Sequence, residues 1–176
     1  MNNKKIISII LIILLIMIPC FIKIFDKTTK DEKRFKREYE ELNNKYLRVN
    51  IQKNNKIKYI TSTKSLEMIK SKDKSGIIFY GNKIDEKSRS IITTLIDVSK
   101  NYEDVKNIYY VETTKIPAEL EYQSDLVIPT VLAFSKGKIL GLRSEKEDNK
   151  NKLEKSYKVL FDKVTQMICY NGDDSC

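Results

Sequence analysis

Ile128-Pro129-Thr130-Val131-Leu132-Ala133-Phe134-Ser135-Lys136-Gly137-Lys138-Ile139-Leu140-Gly141 is the stretch that decides the fold. It reads as an apolar strand entered through a proline, a Lys-Gly turn and a second strand leaving it. Upstream, Gly76-Ile77-Ile78-Phe79-Tyr80-Gly81 is a continuous apolar run, the pattern of a strand covered on both faces. Between the two, Ile91, Ile92, Leu95, Ile96 and Val98 form an inward stripe that predicts a helix from Asp85 to Lys100. Ile108-Tyr109-Tyr110-Val111 follows as a second central strand, and Ala118 to Gln123 as a short connecting helix. Leu153, Tyr157, Leu160, Phe161, Val164 and Ile168 recur at core spacing along a last helix, Asn149 to Ile168. On the amino side, Lys56 to Ile60 is a short strand, expected to form a hairpin with Val49-Asn50-Ile51 across Asn54-Asn55. Thr61-Ser62-Thr63 caps a helix through Leu66, Met68 and Ile69. The order β-α-β-α-β-α-β-β-α defines an α/β domain.

Composition narrows the chemistry. The 176 residues allow one domain plus an appendage, and nothing repeats at a fixed period. Histidine is absent, which removes Ser-His-Asp triads, His-activated cysteine nucleophiles and His-containing zinc sites together. Cys20, Cys169 and Cys176 are too few for a four-ligand metal site in one chain, and no cofactor is expected. The net charge of +9 comes from lysines interleaved with Asp and Glu along the whole chain. No Arg-rich helix or zinc-finger spacing accompanies it, so attraction to anionic lipid or cell-wall polymer is a simpler use than nucleic-acid binding.

The amino end has a different character. After a basic segment (residues 1–5), residues 6–25 are almost unbroken hydrocarbon, with Lys23 placed to snorkel. A span of that length just crosses a bilayer core of about 30 Å. The expectation is an uncleaved single-pass anchor, because no small-x-small cleavage site follows. Cys20 invites comparison with a lipidated cysteine, but Pro19 stands where such signals place a small residue. A charged helical stalk is expected at 26–47, a domain at 48–168 and a tail at 169–176. Phe35, Tyr39, Leu42 and Tyr46 share one face of the stalk helix, which either pairs two chains as a homodimer or packs on its own domain. Lys4 and Lys5 favour a cytoplasmic amino end, whereas Lys23, Lys27, Lys30, Lys33, Arg34, Lys36 and Arg37 pull the other flank to the same side.

The hairpin of Ile128 to Gly141, read with Gly76 to Gly81, resembles the second half of a thioredoxin-like domain, and the resemblance covers about residues 56–168. It implies a mixed sheet flanked by helices, with a cis Pro129 beside the site. Thioredoxins place Cys-x-x-Cys at the helix start after the first central strand; here that run is Asp85-Glu86-Lys87-Ser88, with no cysteine between residues 21 and 168. The resemblance therefore implies a degenerate site at Asp85 and Ser88. It also implies a peptide-binding loop at Ile128, Pro129 and Thr130, where main-chain pairing needs no thiol. The chain is similar to anchored thioredoxin-like proteins of the bacteriocin transport accessory type, which points the domain to the extracytoplasmic face.

The function implied is a membrane-anchored, redox-inactive domain that binds or scaffolds a protein partner. One alternative is a thiol–disulfide oxidoreductase using Cys169 and Cys176 or cysteines of a partner. Another is a structural subunit that assembles through the stalk. Asn171-Gly172 can turn Cys176 back towards Cys169, and outside the cytoplasm that pair would close a disulfide clasp. Asp173 and Asp174 beside a helix C-terminus disfavour a reactive thiolate there.

Overall fold

The computed structural model describes residues 28–120, 126–144 and 149–169. Helix α1 (Lys30–Glu40) opens on a capping box, in which Thr29 and Glu32 satisfy each other's backbone N–H groups. After an irregular stretch come β1 (Ile57–Tyr59), α2 (Ser62–Lys70), β2 (Ser75–Gly81), α3 (Glu86–Ser99) and β3 (Ile108–Glu112). A 3₁₀ turn (Ala118–Leu120) precedes β4 (Thr130–Ser135) and β5 (Lys138–Ser144), and α4 (Lys150–Cys169) ends the described chain.

The described sheet has five strands in the order β1-β3-β2-β4-β5. β1, β3 and β2 run parallel, and β4 and β5 are antiparallel to their neighbours. Alternation along each central strand divides the core. Ile77, Phe79, Tyr110, Val131 and Ala133 face α1, α3 and α4, while Ile78, Tyr80, Val111, Leu132 and Phe134 face α2 and the 3₁₀ turn. All six residues of β4 are buried, as the continuous apolar run requires. The β4–β5 turn has positive φ at both central residues, Lys136 (49°) and Gly137 (81°), the geometry that matches the twist of the flanking strands.

Two expectations are corrected. Val49-Asn50-Ile51 forms no hairpin with β1, which pairs in parallel with β3 instead. Helix α1 and the turn after it supply the missing backbone partners. The Asn43 side chain bonds both the amide and the carbonyl of Val49, Glu40 accepts the amide of Ile51, and Lys36 donates to the Ile51 carbonyl. The expected boundary between a stalk at 26–47 and a domain at 48–168 also moves. Phe35 and Tyr39 are fully buried, with ring centroids 5.0 and 6.2 Å from that of Tyr110, so α1 belongs to the domain core. Burying such rings contributes about 2 kcal/mol each. Of the face expected on a stalk helix, the part made by Phe35 and Tyr39 is filled from within, whereas the helix ends at Glu40 and leaves Leu42 and Tyr46 half-buried in the segment after it. Among the described residues no helix is long and apolar enough to cross a membrane; the 6–25 run and Cys20 lie outside them.

Candidate functional site: a groove at the carboxyl ends of the central strands

The parallel strands β2 and β3 end side by side at Gly81 and Glu112. The chain leaving β2 passes through Asn82 and Ile84 to the start of α3, and the chain leaving β3 passes through Thr114, Lys115 and Ile116. Leu126, Val127 and Ile128 arrive opposite, on the way into β4. These three connections enclose a groove of about 650 Å³. Crevices outside the carboxyl ends of strands are where open α/β sheets bind ligands.

Asp85 is the N-cap of α3. Its Oδ2 accepts the Ser88 amide at 2.7 Å and the Ser88 hydroxyl at 2.8 Å. The Ser88 hydroxyl oxygen in turn accepts the Asn82 amide at 3.0 Å. Asp85 therefore lines the groove, while Ser88 is buried behind it and fixes the loop. The arrangement is one a carboxylate and a hydroxyl can sustain at a helix start, because both satisfy orphan donors.

On the opposite lip, the Ile128–Pro129 peptide is cis. Ile128 faces the groove, Pro129 is buried, and Thr130 points away from it. The Thr130 hydroxyl donates to the Val127 carbonyl at 2.6 Å, and the Ser144 hydroxyl accepts the Val127 amide at 2.8 Å. The loop is thus pinned through Val127, leaving the Ile128 amide and carbonyl without partners among the described residues. Of the three residues expected there, only Ile128 contributes surface; the other two hold it in place.

Arg89 was not singled out by the sequence analysis. Fully buried, it donates to the carbonyls of Leu47 (2.6 Å), Lys83 (2.9 Å) and Tyr39 (2.9 Å) and to the Asn43 side-chain oxygen (2.7 Å). One guanidinium thereby joins the end of α1, the segment after it and the loop carrying Ile84. Its signal was in the sequence: Arg89, Ile92 and Ile96 lie on one helical face, and only a planar fork could use that inward position.

A charged network flanks the same end of the sheet. Glu38 receives Arg34 (2.7 Å), the Tyr59 hydroxyl (3.0 Å) and Lys83 (3.2 Å), and Lys83 also reaches Glu112 (3.3 Å). Burial would raise the Glu38 pKa, but those three donors outweigh it and hold the carboxyl below its ordinary value. Burial, reinforced by its neighbours, pushes Tyr110 far above the ordinary phenol value, and burial does the same for Tyr39, so both hydroxyls stay neutral.

Among the described residues no cluster of Cys, Asp or Glu is arranged to hold a metal ion. Cys169 closes α4 and is engaged in a disulfide; Cys176 lies outside the described residues. What the groove offers is apolar side chains, one carboxylate (Asp85), one ammonium (Lys115) and the main-chain groups of Ile128.

The strand order, the hairpin and the cis Ile128–Pro129 peptide make the fold thioredoxin-like. No known family profile matches the sequence, and no curated protein matches it. Solved structures do. A thioredoxin from Trypanosoma brucei brucei is similar over 66% of this chain and 99% of its own, at 15% identity and a TM-score of 0.47. Mitochondrial thioredoxin 3 from Saccharomyces cerevisiae is similar over 58% of this chain and 94% of its own, at 19% identity and a TM-score of 0.44. Thioredoxin f from spinach chloroplast is similar over 61% and 88%, at 12% identity and a TM-score of 0.45. These are likenesses of fold.

Proposed function

We propose that this chain is a membrane-anchored, redox-inactive thioredoxin-like protein whose groove binds an extended segment of a protein partner at the extracytoplasmic face. Asp85 and Ser88 stand where thioredoxins carry their two cysteines, and a carboxylate with a hydroxyl cannot exchange a disulfide. Kinship with the accessory proteins of bacteriocin transport is the finer form of the same proposal.

The observation that supports it best is the make-up of the two lips. Ile84 and Val127, 49% and 40% exposed, are two of the four large apolar side chains left uncovered among the described residues, and both line the groove. Beside them, the unpartnered Ile128 amide and carbonyl suit an added strand, which gains affinity from main-chain bonds and specificity from apolar pockets. Lys115 and Asp85 add one charge of each sign to the walls.

A photoreactive residue in place of Ile84 or Val127, in the full chain in its own membranes, is expected to give discrete protein adducts. The same residue at Val159, equally exposed on α4, is expected to give none. Equal labelling at the three positions would overturn the groove as the binding surface. The oxidoreductase alternative makes a separate prediction, that thiol exchange is measurable in the wild type and lost in Cys169→Ser.

A further inference from the structure

A second cavity, of about 630 Å³, lies along the outward side of α1, and its chemistry differs from that of the groove. Four cations line it, three from α1 (Lys33, Lys36 and Arg37) and Lys53 from the loop ahead of β1, against the two carboxylates of Glu40 and Glu41. These groups are not equivalent. Glu40 is committed, taking Lys36 at 2.6 Å and the Ile51 amide at 2.9 Å. Glu41 sits 3.9 Å from Arg37, with both side chains two-thirds exposed, a pairing that water screens and that adds little. Arg37 is therefore available for a better anion. Its planar fork can take two oxygens at once, and Lys53 is exposed across the cavity from it.

The walls are held in place before any ligand arrives. The Thr28 hydroxyl bonds Asn54 at 2.9 Å, and Lys36 ties α1 to the Ile51 carbonyl. The two bonds tie Thr28, just ahead of α1, and α1 itself to the irregular segment that carries Lys53. A cationic cavity with fixed walls suits a compact multivalent anion such as a phosphate group.

Position identifies the source of that phosphate. The apolar run ends at Phe25, and Thr28, a lining residue, is three residues further on. Three residues reach at most about 10 Å. The headgroup layer outside a hydrocarbon core of about 30 Å is itself about 5–8 Å deep. With residues 6–25 in the bilayer, Thr28 and the cavity it lines lie within reach of the plane of the lipid phosphates.

We infer that the α1 cavity binds the phosphate of an anionic phospholipid headgroup through Arg37 and Lys53, with Lys33 adding positive charge to the same wall, and so seats the domain on the membrane surface. The placement rests on the anchored reading; the cationic geometry does not. It also supplies a role for the basic flank that orientation alone does not explain. Basic residues there serve lipid binding, on whichever side the domain lies.

The test uses the full chain purified in detergent doped with phosphatidylglycerol or phosphatidylcholine, with retained lipid read by native mass spectrometry. The wild type is expected to keep phosphatidylglycerol in preference. Each basic residue near an anionic surface is worth roughly fivefold. Lys53→Gln, in an exposed bend, should therefore lower phosphatidylglycerol affinity about fivefold, and the triple change Lys33→Gln, Arg37→Gln, Lys53→Gln on the order of a hundredfold. The charge-matched control Lys87→Gln, Lys138→Gln, Lys155→Gln, all exposed and away from α1, should leave it unchanged. Equal loss in the two triple variants, or no preference in the wild type, overturns the inference. Displacement of the lipid by millimolar inorganic phosphate would make free phosphate the ligand and also overturn it. Alkaline carbonate extraction reports separately on the anchor: release of the chain with lipid retention intact removes the anchored reading and leaves the headgroup site standing.

Discussion

The centre of the sheet and the layer around α1 solve one problem by different means. β2 and β4 each pair with a strand on both sides, so their side chains need only be apolar and of the right volume. Between α1 and β1 the backbone is irregular, and single polar side chains meet the buried groups one by one. Glu32 accepts the amides of Thr29 and Lys56, and Asn55 donates to the Glu32 carbonyl. Lys56 is held at a φ of 58° and sends its ammonium to the carbonyls of Ser99, Tyr102 and Val105, at the end of α3. Arg89 does the same at the other end of the layer. The lesson is one of redundancy. The centre spreads its stability over many interchangeable apolar contacts, whereas the α1 layer concentrates it in a few groups with no substitute.

That contrast sets the sizes of the expected effects. Arg89→Met should be the most damaging single change, costing about 4–5 kcal/mol, because the buried Tyr39 carbonyl and three part-buried acceptors lose the guanidinium together. It should also abolish adducts from a photoreactive residue at Ile84, whose loop Arg89 holds. Urea denaturation followed by circular dichroism measures the first, and crosslinking the second. Ile78→Ala, in the centre, should cost about 3 kcal/mol by cavity formation and leave the crosslinks in place. If it disturbed the groove as much as Arg89→Met, the two regions would not be distinct. Lys56→Met should cost about 2 kcal/mol, with the loss seen as faster hydrogen exchange in the last turn of α3.

The smallest effect is a pH dependence. Glu38 has a depressed folded-state pKa, so its contribution is fully present above the unfolded carboxylate value of about 4.3. It is lost as pH falls through the lower folded value. Glu38→Gln should flatten that acid limb by less than about 1 kcal/mol, since Arg34 and Lys83 are partly exposed and screened.

The same contrast explains what the sequence made legible. Ile77 to Tyr80, Ile108 to Val111 and Ile128 to Gly141 were readable because apolar runs and a Lys-Gly turn are local signals, and the succession of elements along the chain followed from them. Asp85 as a helix cap was readable too, from its place ahead of an apolar stripe. Val49 to Ile51 misled. Its β-branched residues announce burial, but no local pattern says that a side chain of α1 replaces a neighbouring strand as the hydrogen-bond partner. Thr130 was chosen by its neighbourhood to Pro129, and only the geometry turns its hydroxyl from the groove towards the Val127 carbonyl. Arg89 was overlooked because a charged residue reads as surface until its four partners, distributed over Tyr39 to Lys83, are brought together.

The burial of Phe35 and Tyr39 has a last consequence, for limited proteolysis. The turn after α1 exposes Asn44 and Lys45, so a protease can nick the chain there. The nick would sever the peptide link between the amino-terminal part and the sheet, yet α1 would stay seated by its aromatic face, its Glu32 bonds and Arg89. Whatever precedes residue 28 is joined to this domain twice, once by covalent continuity and once by fit.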